Sequence, residues 1–139
     1  MTEIYFYSGA ADKSYTACRL SAKAVQQGLK VFIFTLDTTF ADRLDKLLWT
    51  FSPTSFIPHS RINDKLADRT PVVLGHEVSK ITHRDVLLNL HDQHPPSCDR
   101  FNRLIEIASN NPEDKTAARK RYRFYQESGY KIHHFKLNE

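Results

Sequence analysis

The feature that most constrains this chain is the order of its first fifty residues. Lys30-Val31-Phe32-Ile33-Phe34-Thr35 is an almost unbroken apolar run, the pattern of a strand covered on both faces. Before it, residues 12–27 place Tyr15, Cys18, Leu20, Ala22 and Val25 on a helical repeat that stops at Gly28, a residue suited to the position after a helix. An aromatic and β-branched opening, residues 3–7, predicts a first strand. After the run, Thr38 or Thr39 can cap a second helix in which Phe40, Leu44, Leu47 and Leu48 recur at helical spacing up to Trp49. Strand, helix, strand, helix at this spacing predicts parallel pairing with helices packed against the sheet.

Further strands are expected at 55–58, 71–75, 85–90 and 103–108. Asn111-Pro112-Glu113-Asp114 supplies a cap, a proline at the first helical position and two acids for the first turn. That helix runs to about Ser128, where Gly129 ends it, and residues 130–137 close the chain as a strand. The expected fold is one α/β domain over residues 1–139, with a mixed, mostly parallel central sheet and helices on both faces. Its 139 residues suffice for one core without staples. Cys18 and Cys98 show no paired spacing, which argues for a reducing compartment and against a disulfide or zinc framework. The opening residues have no secretory signal and no apolar run approaches a membrane span, so a cytoplasmic location is expected.

Chemistry finds little foothold. Gly9-Ala10-Ala11-Asp12-Lys13-Ser14 ends like a phosphate loop, but Tyr7 and Asp12 stand where that loop needs glycines. Asp12 would also set a negative charge beside the phosphates, so an ordinary capped helix is the better reading. His91, His94, His133 and His134 are metal-ligand types without metal-ligand geometry. The first two precede Pro95-Pro96, and adjacent residues of a strand face opposite ways. There is no nucleophile elbow, and no catalytic residue, cofactor or metal is assigned.

The informative charge is local. The net charge is +4, and the segment from Lys115 to Lys131 carries Lys115, Arg119, Lys120, Arg121, Arg123 and Lys131 against Glu127 alone. On a helix, Lys115, Arg119, Tyr122, Arg123 and Gln126 fall within an arc of about 100°. Ala117, Ala118, Phe124 and Tyr125 lie opposite, with Lys120 and Arg121 at the flanks. Cations around one ring suit an acidic peptide, with arginines forking onto carboxylates. The same face could track a nucleic-acid backbone with a base on Tyr122, although one ring is thin for a stacking platform. A second segment, Leu47 to His59, holds Trp49, Phe51 and Phe56 around a turn at Ser52-Pro53. Core is the better reading taken alone, with exposure of one or two for a partner the alternative, since a helix end and turn is a poor place to bury all three.

These two segments resemble the chi subunit family of bacterial DNA polymerase III. Leu48-Trp49 followed by Ser55-Phe56-Ile57-Pro58-His59 is similar to one family stretch, and Arg119-Lys120-Arg121-Tyr122-Arg123-Phe124-Tyr125 with Gly129-Tyr130 to another. Arg123 stands where many relatives have lysine. The resemblance covers the chain, although residues 63–111 match in element order more than in residue type. It implies a Rossmann-like three-layer α/β/α fold and a non-catalytic replication subunit that pairs one-to-one with the psi subunit of the clamp-loader complex. It also implies binding to the acidic C-terminal tail of single-stranded DNA-binding protein, so that DNA is reached mainly indirectly. By position, Lys115, Arg119, Tyr122 and Arg123 would form the tail site with Trp49 beside it, and Phe56 would contact psi. Direct single-stranded nucleic-acid binding through the basic C-terminal helix is the alternative.

Overall fold

The computed structural model describes residues 2–51, 58–62, 70–76, 81, 83–96 and 98–137. The chain runs β1 (Glu3–Ala10), α1 (Lys13–Gln26), β2 (Val31–Phe34), α2 (Thr38–Thr50), β3 (His59–Arg61), β4 (Val72–Gly75), β5 (Val86–Asn89), a 3-10 turn (Cys98–Arg100), β6 (Arg103–Ser109), α3 (Pro112–Glu127) and β7 (Lys131–Lys136). The strands form one seven-stranded sheet in the order β3-β4-β2-β5-β6-β1-β7. Every pairing in it is parallel, so the expected mostly parallel sheet has no antiparallel member among the described strands.

Parallel strands need crossovers, and crossovers are right-handed. From β1 the chain travels one way along the sheet through α1 to β2, and onward through α2 to β3. From β6 it travels the other way, through α3 to β7. One handedness and two directions of travel put α1 and α2 on one face and α3 on the other, which gives the three layers. The core divides accordingly. Ala17, Cys18, Leu44 and Leu48 pack with Ile33, Leu74 and Leu88 on one side. Ala118 and Tyr125 pack with Ile4, Phe32, Leu87 and Leu104 on the other. Cys18 and Cys98 belong to opposite sides of the sheet, and burial pushes the Cys18 thiol up to about 12. No helix among the described residues is long and apolar enough to cross a membrane.

The helix ends follow their capping chemistry. Asp12 caps α1 by accepting from the Tyr15 N–H at 3.1 Å, and Gly28 follows the C-cap at φ 81°. Asn111 caps α3 through the N–H groups of Glu113 and Asp114. α2 departs from expectation: its cap is Asp37, accepting from the Phe40 N–H at 2.8 Å, and both threonines lie inside the helix. A carboxylate at the residue before the first turn outcompetes the hydroxyls one position later, since all can serve as caps but only Asp37 has the extended backbone of one. The strand expected at 55–58 falls almost wholly outside the described residues, and the described strand in that region is β3.

Candidate functional site

β1 and β6 are neighbours whose connections leave in opposite directions, so the crevice at their carboxyl ends is the topological switch point, where open α/β sheets bind ligands. On its α1 side Asp12 caps the helix by accepting from the Tyr15 N–H, and Lys13 reaches across to Asp114 of α3 at 3.1 Å. What remains open lies on the α3 side. A pocket of about 430 Å³ is lined by Phe6, Ala108, Ala118 and Tyr122, by Lys115 and Arg119 of α3, and by His134 and Lys136 of β7. Its backbone end is formed by Ser8-Gly9 and Ser109-Asn110. Gly9, at φ 81°, is required there: a Cβ would stand 2.7 Å from the Leu137 carbonyl oxygen, which approaches as β7 runs out.

The walls of the pocket are aromatic. The Phe6 and Tyr122 rings meet edge to face at 5.2 Å, and His134 lies 6.0 Å from Tyr122 with its Nε2 2.9 Å from the Ser8 hydroxyl. Three cations line it, and no carboxylate does among the described residues. Lys115 and Arg119 pair with no acid among the described residues. The arrangement can hold a ligand with an apolar or aromatic body and a negative charge. A neighbouring cleft of about 420 Å³ between residues 92–94 and α3 has mixed charge instead, with Asp92 and Glu113 beside Lys120.

α3 is held against the sheet by a buried polar cluster. The Arg121 side chain, 2 % exposed, sends its Nε to Glu106 Oε1 at 2.9 Å and an Nη to the Asp92 carbonyl at 2.9 Å. The other Glu106 oxygen accepts from Asn89 of β5 at 2.9 Å and from the Tyr125 hydroxyl. Burial pushes the Glu106 carboxyl above the usual carboxylate range, against the opposing pull of Arg121 and the bonds from Tyr125 and Asn89. Burial likewise raises the Tyr125 phenol, which stays protonated and donates. Arg121 therefore does not flank the cationic face. It sits in the buried stripe with Ala118 and Tyr125, and Phe124 is half-buried under His94, their rings stacked at 3.7 Å.

Of the residues the sequence singled out, the structure brings Lys115, Arg119 and Tyr122 into one pocket. Arg123 is exposed on the same helix and does not line it. Trp49 is elsewhere. It is 58 % exposed at the end of α2, its ring against His59 of β3, on the other face and at the other edge of the sheet. Phe51 is half-buried against Tyr15, and Phe56 lies outside the described residues. The sequence reading missed His134, Lys136 and Phe6, which join the pocket through strand register rather than local pattern: Phe6 pairs with His134, and Ser8 with Lys136.

The family model described as DNA polymerase III chi subunit, HolC, matches residues 1–133. The chain belongs to the DNA polymerase III chi subunit family. It is 37% identical over 141 residues to a DNA polymerase III subunit chi of Pseudomonas aeruginosa, covering 99% of this chain and 98% of that one. Subunits of the same name from Haemophilus influenzae and Escherichia coli are 28% and 26% identical, over 84% and 83% of this chain and 81% and 79% of their own lengths. All three relatives are bacterial, and the family places the chain in DNA replication.

Proposed function

We propose that this chain is a non-catalytic adaptor of DNA polymerase III. It would act in the cytoplasm as one chi-type domain, joining the psi subunit of the clamp-loader complex to the acidic C-terminal tail of single-stranded DNA-binding protein. The observation that carries the tail half of this reading is the convergence of Lys115, Arg119 and Lys136 on one pocket walled by Phe6, Tyr122 and His134. A tail ending in proline and a carboxylate-bearing phenylalanine has the matching chemistry. Its ring fits among the aromatic walls, its terminal carboxylate meets Arg119 or Lys115, and its aspartates run over the outer cations such as Arg123. Family membership supports the psi half, with Phe56 the proposed contact. Many tails on one coated strand would raise the effective concentration of replicase there even if each contact is weak.

The bridging role is tested by gel filtration of the chain with psi and a tail-bearing single-stranded DNA-binding protein. The wild-type chain is expected to carry both partners in one peak. Phe56→Ala should release psi alone, and Arg119→Ala the tail-bearing partner alone. Joint loss in either variant, with the fold intact by circular dichroism, would contradict two separate docking sites.

A further inference from the structure

The opposite face of the same sheet edge carries a second groove of different chemistry. β7 alternates, so His134 and Lys136 turn toward α3 while His133 and Phe135 turn toward the α1 side. There Tyr5, Tyr7 and Phe135, with Arg103 of β6 and Lys23 of α1, line a groove of about 260 Å³. The rings form a ladder across the strands. Tyr7 and Phe135 stack at 4.9 Å and 20°, Tyr5 and Phe135 at 6.0 Å and 22°, and the Arg103 guanidinium covers Tyr5 at 4.4 Å. The ladder ends on Phe135, 41 % exposed on a strand whose outer edge pairs with no described strand.

The charge around the ladder is mainly positive. No carboxylate among the described residues lines the groove, Lys23 is exposed beside it, and Lys131 stands at the start of β7 with its side chain 71% exposed. An acid near it, Glu3, is taken up by His133 Nε2 at 2.8 Å and lies 3.9 Å from Lys131. Several rings in register, laid along a sheet and edged with cations, match the repeating unit of a single strand, a flat base and a phosphate per step. A duplex offers no free base faces to such a ladder. We propose that this face binds single-stranded nucleic acid, with bases stacking on Phe135 and Tyr7 and phosphates against Lys23 and Arg103. The site lies across the sheet from the tail pocket, on other residues of the same strands β1, β6 and β7, and requires neither psi nor tail. It lets an adaptor docked on a coating protein touch the coated strand as well.

The test is anisotropy of a fluorescein-labelled oligo(dT) of about 15 nucleotides with the full-length chain at low salt. Saturable binding is expected, weaker for a duplex of equal length and falling with added salt. Phe135→Ala and Arg103→Gln should each weaken it about tenfold, Phe135→Trp should retain it, and Arg119→Ala in the tail pocket should leave it unchanged. Because Phe135 is partly exposed but also stacks on Tyr7 and Tyr5, an intact fold of each variant is checked in parallel by circular dichroism and melting temperature. No binding at about 100 µM protein, equal binding of duplex, or dependence on Arg119 rather than Phe135 would overturn the proposal. So would self-association that Phe135→Ala dissolves in a chain that never binds the oligonucleotide, since the occupant would then be protein.

Discussion

Glu106 and Arg121 form a buried ion pair that ties α3 to the sheet, and both left a trace in the sequence. Glu106 is the lone acid in Leu104-Ile105-Glu106-Ile107-Ala108, where an apolar strand is otherwise covered on both faces. Arg121 falls three residues after Ala118 and four before Tyr125, on the buried stripe of α3. A charge inside each of two apolar patterns signals a buried pair. That signal was masked by the run of neighbouring cations, which made Arg121 look like one more surface charge. Removing one partner of such a pair leaves the other charge buried and alone. Arg121→Ala should therefore cost about 3–5 kcal/mol of stability in urea denaturation, whereas Glu106→Leu with Arg121→Met should recover most of that loss. A single mutant no weaker than the double would contradict the cluster's role in seating α3.

At the scale of elements, helix ends were legible except the α2 cap, which is Asp37 rather than Thr38 or Thr39, and strand partnerships were not. Asp12, Asn111, Pro112, Gly28 and Gly129 act where their local chemistry predicts, because caps and left-handed glycines are decided within a few residues. His134 and Lys136 could not be assigned to the pocket from sequence, since their neighbours arrive through pairing with β1, more than a hundred residues away in the chain. The α1 and α3 starts are tied by another long-range contact. Asp114 accepts from the Ser109 N–H at 2.7 Å and from Lys13 at 3.1 Å. Burial raises its carboxyl, but these bonds and the Lys13 charge more than offset that and hold it below the ordinary aspartate value of 3.8. A depressed carboxylate contributes stability that is fully present above its unfolded pKa and is lost as pH falls through the lower folded one. Asp114→Asn should thus lower stability at neutral pH and flatten its dependence on pH below about 4, seen in melting temperatures taken down the acid range. An unchanged acid slope would show that Asp114 is not held in this way.

At the scale of the molecule, two directions of travel along one sheet create the switch point, with Asp12 and the Lys13–Asp114 pair at the start of α1. The cationic pocket lies beside it, against α3. A chain read locally cannot place Trp49, which shares a motif with its surroundings yet lies across the sheet from α3. Its position separates two accounts of tail binding. The deciding measurement is anisotropy of a labelled acidic peptide ending in Pro-Phe, titrated with the wild-type chain, Arg119→Ala and Trp49→Ala. Saturable binding is predicted, weakened about tenfold by Arg119→Ala and by a C-terminal amide, reduced by salt, and indifferent to Trp49→Ala. No saturable binding to the wild-type chain, or binding that depends on Trp49 and not on Arg119, would contradict it.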